Sequence, residues 1–373
     1  MDFRLSEEQA MLRDTLSRYL SDHYRFDSRQ AAVRSAAGWR PECWHAFASE
    51  LGLLGVGIPE RFGGLGGGMV EHMVVMEQFG RHLVLEPYLG TVILAAGALQ
   101  QGGEALAAEM LPAIVAGRVT AGWAHAEPGS RHGLASVQAT AREASDGYRL
   151  SGHKAVVGGA PWATHFVVSA QAGDGLALFW VDRAASGLTL RETPTFDGGR
   201  AADLLLDNVH VPASHRLGTP GGTLLEYLSD AGAVALCAEA TGCLARMLED
   251  TIEYARQRRQ FGQPIGQFQA LQHRMADMYM LNEQAIAITQ VAAMSMEDDA
   301  RARALAASSA KAHIGDAGRV VGQGAVQIHG GMGVTEEAAV GHYFKRVTAI
   351  DLQFGSAAWH QRRCADLLYP AAA

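Results

Sequence analysis

Several kinds of pattern are missing from this 373-residue sequence, and each absence removes a class of function. With 31 lysines and arginines against 39 aspartates and glutamates, a formal net charge of −8, it lacks the concentrated basic face that nucleic acid requires. No run approaches the ~20 apolar residues of a membrane span. Met1-Asp2-Phe3 runs straight into a helical pattern with no basic-plus-apolar leader, so a cytoplasmic location is expected. The four cysteines, Cys43, Cys237, Cys243 and Cys364, show no CxxC spacing, which leaves reduced, buried thiols. Among the 15 histidines there is no HExxH and no ligand-spaced cluster, so no metal site is expected. There is no GxSxG elbow, and "GQGAVQ" (322–327) lacks the third glycine of a dinucleotide-binding turn. The glycine-rich "GIPERFGGLGGG" (57–68) also lacks GxGxxG and follows no strand, so it reads as a turn between helices.

What is present is an ordinary globular chain, 48% hydrophobic and 19% charged, long enough for two or three domains. Ser6 and Gln9 form a capping box, and Leu12, Leu16, Tyr19 and Leu20 follow at helical spacing. Helical pattern continues to about Val115. From Thr120 to about Gly218 the texture changes to short β-rich runs, "HFVVSA" (165–170), "LALFWVD" (176–182), "LTLRET" (188–193) and "ADLLLDNVHVP" (202–212). Asp146-Gly147, Gly173-Asp174-Gly175 and Asp197-Gly198-Gly199 punctuate them, and no helical run separates them as a parallel α/β sheet needs. "PASHRLGTPGG" (212–222) closes this region. Long Ala/Leu/Met-rich helices follow over about 223–257, 268–296 and 299–328, with a last one ending near Leu368, which implies a long-helix bundle. The expected architecture is α+β and mostly α: an N-terminal helical domain (1–119), a middle β-barrel-like domain (120–221) and a C-terminal four-helix bundle (222–373).

Two segments carry chemistry. In "YARQRRQFGQPIGQFQALQHRMADM" (254–278), Arg256, Arg258 and Arg259 end one long helix, and Phe261-Gly262 with Pro264 breaks the chain before the next begins near Phe268. A guanidinium beside a glycine turn suits a pyrophosphate, while basic residues at a helix C-terminus also serve the helix dipole. In "QIHGGMGVTEE" (327–337), Gly330-Gly331 let a ligand approach the backbone, and the same pair is also a common helix C-cap.

Together these segments resemble the acyl-CoA dehydrogenase family, whose pattern RxQFGxPIxxFQ is followed by QxHGGxG. "DFRLSEEQAMLRD" (2–14) and "PERFGGLGGG" (59–68) extend the resemblance over the whole chain. "ALCAEATG" (235–242) and "GHYFKRVTAIDLQFG" (341–355) resemble the small subunits of pimeloyl-CoA-dehydrogenase-type heteromers. The resemblance implies FAD, tetramers and α,β-dehydrogenation of an acyl-CoA thioester, with an electron-transferring flavoprotein as acceptor. It assigns Arg258 to the pyrophosphate, Phe261 and Gln269 to the adenosine, and Gln327, Gly330 and Gly331 to the diphosphate turn, all acting on a neighbouring subunit's flavin.

The half of the pocket that holds the flavin ring departs from the pattern. Where members read K-x-W-I-T-N this chain has "KAVVGGA" (154–160), so Val156 replaces the tryptophan beside the flavin and Gly158 replaces the threonine that donates to N5. Trp162 is a candidate to fill the lost ring volume or a core residue. Glu127-Pro128 survives from the T-E-P signature, without the G-S-D that normally follows. The base is missing as well: Phe354-Gly355-Ser356 stands for E-G-T, and the alternative base position is Gly232, followed by Ala233 where many members carry an arginine. Asp351 is a weak substitute candidate if the segment to Phe354 is helical, and Asp230 a weaker one. Both alternatively cap or pair, and Glu239 reads as packed against an arginine. Three readings follow. The chain is a base-less subunit that completes a partner's FAD site, a homomeric enzyme with an atypical base, or an inactive scaffold that binds CoA esters.

Overall fold

The computed structural model describes residues 3–218 and 221–369. Met1 and Asp2 of the expected start, and Thr219-Pro220 of the expected domain punctuation, lie outside the described residues. The described chain packs as two compact units.

One unit (1–31, 69–84, 233–373) is helical. Helix α1 (Glu7–His23) begins with the expected capping box, Ser6 accepting from Gln9 N–H while the Gln9 side chain accepts from Ser6 N–H. The unit also takes in most of α2 (Phe26–Arg34), α4 (Met69–His82) and the greater part of α7 (Gly221–Gln257), whose first turns belong to the other unit. Its C-terminal elements are α8 (Gln269–Met294), α9 (Ala300–His329), α10 (Ala339–Leu352) and α11 (Ala357–Leu368). Helices α8, α10 and α11 all pack on α9. The small-residue stretch of α7 has a steric cause. A Cβ on Gly80 would lie 1.8 Å from Glu239 O, and one on Gly242 1.9 Å from Glu77 O, so α4 and α7 cross backbone to backbone. By length and composition α7 is apolar enough to cross a membrane, but 89% of its most apolar stretch is buried inside the fold. The single last helix expected from the sequence is two helices, broken at Gln353–Ser356.

The other unit (32–68, 85–232) carries the sheet. It includes α3 (Pro41–Ser49), a π-helical turn (Leu89–Ala95) running into α5 (Ala96–Gln100), and α6 (Glu104–Val115). The segment 57–68 is a set of bends and short 3₁₀ turns, as its glycines imply. The strands are β1 (Ala121–Ala124), β2 (Thr140–Ala144), β3 (Gly147–Gly158), β4 (His165–Ala172), β5 (Gly175–Asp182), β6 (Leu188–Pro194), β7 (Arg200–Pro212) and β8 (Arg216–Leu217). They form one eight-stranded sheet in the order β6-β7-β3-β2-β4-β5-β8, with β1 added beside β4. Pairing is antiparallel at the expected hairpins but parallel between β1 and β4 and between β2 and β4. Leu150, Val157, Phe166, Val168, Phe179, Leu204 and Val209 fill its core.

Candidate cofactor-binding site

Helix α7 stops at Gln257, and the chain turns at once into a hairpin. Arg259–Gln260 (β9) pairs antiparallel with Gln263–Pro264 (β10), leaving Phe261 and Gly262 as a two-residue loop. Both have positive φ, 53° and 85°, the pattern of a type I′ turn. A phenylalanine there is strained by about 1–3 kcal/mol, and its side chain is 92% exposed. Arg258 therefore sits just past the helix, and Arg259 lies in a strand. The Arg258 N–H donates to Tyr254 O and its carbonyl accepts from Ile265 N–H, both at 2.8 Å. Its guanidinium is exposed and has no acceptor among the described residues. By contrast, Arg256 approaches Glu253 at 3.9 Å and Arg259 donates to Gly262 O at 3.2 Å.

The structure joins the two segments. The Tyr254 ring stacks on His329 at 4.4 Å and 24°, and its hydroxyl donates to His329 O at 3.3 Å. That contact sets the hairpin beside Gly330 (φ 60°) and Gly331, where an added Cβ would meet nothing within 4 Å, so backbone faces open space. Neither Tyr254 nor His329 was singled out from the sequence. Gln269 and Gln327 are both exposed. Gln327 lines a groove of about 520 Å³ between α8 and α9, with Ala270, His273, Arg274, Asp277 and Gln323. The i, i+4 spacing of Gln323–Gln327 and of Ala270–Arg274 was the available signal for it.

In the sheet unit, β3 bulges against β7 between Lys154 and Val157. Val156 takes φ 51°, is 70% exposed and donates its N–H to Asp203 Oδ1 at 2.9 Å. That bond, with His153 3.0 Å away, holds the Asp203 carboxyl below its usual range. Gly158 is exposed, and a side chain there would meet nothing within 4 Å. Trp162 stacks on Trp39 at 5.5 Å and 13° and donates Nε1–H to Ala37 O at 2.8 Å, so it is fixed against the 37–39 loop. Behind the bulge, buried Lys154 meets Glu127 at 2.6 Å, and Glu127 accepts the Gln138 and Ala139 N–H groups at 2.7 and 3.0 Å. Burial pushes Lys154 down to about 8 against the opposing pull of Glu127. Burial acts to raise the Glu127 carboxyl, but Lys154 and the two N–H groups together hold it low.

The position where the resemblance expects a base is a turn. Phe354 has φ 54° and lies beyond the end of α10, so the helical register that would align Asp351 with it is absent. Asp351 Oδ1 instead accepts Ala357 N–H at 2.9 Å. Lys311 is wholly buried and donates to Gly355 O at 2.6 Å and Asp351 O at 3.2 Å. His360 Nε2 lies 2.9 Å from Phe354 O, and Ser356 caps α11. Gly232 and Asp230 are buried on α7. Glu239 is held by Arg346 through contacts of 2.5 and 2.6 Å, the pairing its sequence context suggested.

Comparison with known proteins places this architecture. Acyl-CoA dehydrogenase family models match the N-terminal domain over residues 6–118, the middle domain over 122–209 and the C-terminal domain over 223–368. The chain belongs to the acyl-CoA dehydrogenase family. Acyl-CoA dehydrogenase IpdE2 of Mycolicibacterium smegmatis is 30% identical, over 92% of this chain and 93% of its own. A chain of the ChsE4-ChsE5 complex from Mycobacterium tuberculosis is 30% identical with a TM-score of 0.91, covering 100% of each chain. The Tcur3481-Tcur3483 steroid ACAD is 33% identical with a TM-score of 0.90, covering 97% of this chain and 98% of its own. Acyl-CoA dehydrogenases are FAD-dependent oxidoreductases acting on a CH–CH bond. The donor set fits the tail of that cofactor: a free guanidinium and two open glycine backbones suit a pyrophosphate. Val156 and Gly158 offer the ring no side-chain donor.

Proposed function

We propose that this chain is the base-less subunit of a heteromeric acyl-CoA dehydrogenase and completes the FAD site of a second, dehydrogenase-like subunit. One contrast carries the reading. Arg258 stands exposed with no acceptor among the described residues and Phe261 is 92% exposed beside Phe268, while Phe354 and Gly232 occupy the positions assigned to a base. In this assignment Arg258 grips the pyrophosphate with paired N–H bonds, Gly330 and Gly331 admit it to the backbone, and Phe261, Gln269 and Gln327 meet the adenosine. Bound FAD supplies the acceptor for the hydride that leaves the β-carbon of an acyl-CoA thioester. Phe354 has no group that takes the α-proton, so the partner provides the base, whose absence costs ~10²–10⁴ in rate. The two-chain relatives support this arrangement, and the steroid relative makes a polycyclic acyl-CoA the first substrate to try. An electron-transferring flavoprotein as acceptor, a cytoplasmic setting and the boundaries 1–119, 120–221 and 222–373 belong to the same proposal. The alternative, a homomeric enzyme with Asp351 as base, has less support, because that carboxylate is already an acceptor for Ala357 N–H.

Co-purification with the partner tests it. Arg258→Ala is expected to lower FAD retained by the assembled complex about tenfold or more, the worth of a charge-assisted hydrogen bond. Rapid, flavin-loaded turnover of a CoA thioester by the chain purified alone would refute the reading.

A further inference from the structure

Tyr254, in the last turn of α7, faces two ways. Its carbonyl accepts the Arg258 N–H at 2.8 Å, and its hydroxyl donates to His329 O at 3.3 Å. One residue therefore touches the backbone of both arms of the candidate pyrophosphate site, the arginine arm at 258 and the glycine arm that opens at 330. An aromatic pair between two helix ends is by itself ordinary packing. What sets this one apart is that its members border the two anion-binding segments and little else.

The glycine arm is held firmly. The rings of Tyr254 and His329 stack at 4.4 Å and 24°. His329 Nδ1 lies 2.8 Å from Ala325 O, and a carbonyl only accepts, so Nδ1 carries the hydrogen and the ring is fixed against its own helix. His329 O is among the last carbonyls of α9, which lack partners within a helix. The Tyr254 hydroxyl supplies one, and so holds the peptide that leads into Gly330, whose φ of 60° and ψ of −140° suit glycine. On the arginine arm, Ile265 N–H closes the hairpin on Arg258 O at 2.8 Å. Gly266 then returns the chain so near α7 that an added Cβ would lie 3.1 Å from Ala255 O.

We propose that Tyr254, with His329, is the positioning pair that makes the Arg258 arm and the Gly330–Gly331 arm a single anion-binding element. A pyrophosphate is gripped by the two arms together, and weakly by either once the pair is broken, because binding must then also order the loosened arm. The inference rests on the assignment of both arms to a pyrophosphate. It adds that their contributions are coupled through Tyr254 rather than independent.

Two measurements test it, and the first needs no flavin. In the full chain freed of FAD, amide hydrogen exchange is followed in peptides covering 258–265 and 329–335. Tyr254→Leu is expected to speed exchange in both segments about tenfold. Tyr254→Phe keeps the stack and loses only the long hydroxyl bond, so it stays within about threefold of the wild type. The second is a double-mutant cycle on FAD dissociation from the complex assembled with the partner. Arg258→Ala and Tyr254→Leu each weaken retention about tenfold, and together they fall well short of the roughly hundredfold loss that independent effects give. Size exclusion and thermal melting confirm that each variant assembles. If Tyr254→Leu does not, His329→Leu removes the same stack from the other side and carries the same expectations. Unchanged exchange in either segment, full FAD retention by Tyr254→Leu or a multiplicative cycle would each overturn the inference. Full retention by Arg258→Ala would overturn the pyrophosphate assignment and this inference with it, and the exchange pattern tells the two failures apart.

Discussion

The hairpin at Phe261 and the turn at Phe354 make an instructive pair. Each places a phenylalanine in the left-handed region, at φ 53° and 54°, and each follows directly on a helix. Around Phe354 most polar groups are engaged: Lys311 and His360 Nε2 engage carbonyls, Asp351 receives Ala357 N–H and Ser356 caps a helix. Around Phe261 the ring touches Phe268 edge-on but stays 92% exposed, and the Arg258 guanidinium has no acceptor among the described residues. Identical backbone strain thus has opposite meanings. Where the surrounding polar groups are mostly engaged with one another, the strain belongs to the scaffold. Where a cation and an aromatic stand open, it presents a surface to something else.

Three measurements break or sharpen that contrast. The largest effect is expected at the turn. Lys311→Met removes the donor from two carbonyls and is expected to cost about 2 kcal/mol in urea unfolding, with FAD retention by the complex unchanged. A loss of FAD with stability intact would mean the turn is no mere scaffold. Phe261→Gly reverses the pattern. Relief of strain against the entropy of an added glycine leaves stability unchanged or higher by up to about 1 kcal/mol, while FAD retention falls. A clear loss of stability would show that the hairpin serves the fold.

A third measurement is a pH dependence with a source in each compact unit. Burial pushes both His72 and His125 down to about 4. Between about pH 6.5 and 4 the unfolded chain binds protons that the fold refuses, so stability declines as pH falls through that window and the loss is complete below it. His72→Leu and His125→Leu should each flatten the pH dependence of unfolding. A slope that neither changes would place the titration elsewhere.

The long helices, the capping box at Ser6 and strands β4 to β7 were legible because periodicity and turn residues report them directly. The hairpin was not, since two strands of two residues have no periodicity and a phenylalanine gives no sign of positive φ. Strand β1 has only four residues, and its parallel partner lies some forty residues away. The break at Gln353–Ser356 was hidden for the same reason as the hairpin, which left Asp351 a candidate until the turn was seen. Arg258, Gly330 and Gly331 could be named from the sequence but not joined, because the Tyr254–His329 stack spans 75 positions. The Lys154–Glu127 pair escaped for a similar cause: its members meet only across the sheet.

Gly158 has a wider implication. An added Cβ there would meet nothing within 4 Å, so the position has room for a side chain. On the proposed heteromeric assignment, what this position withholds from a flavin then amounts to one side chain.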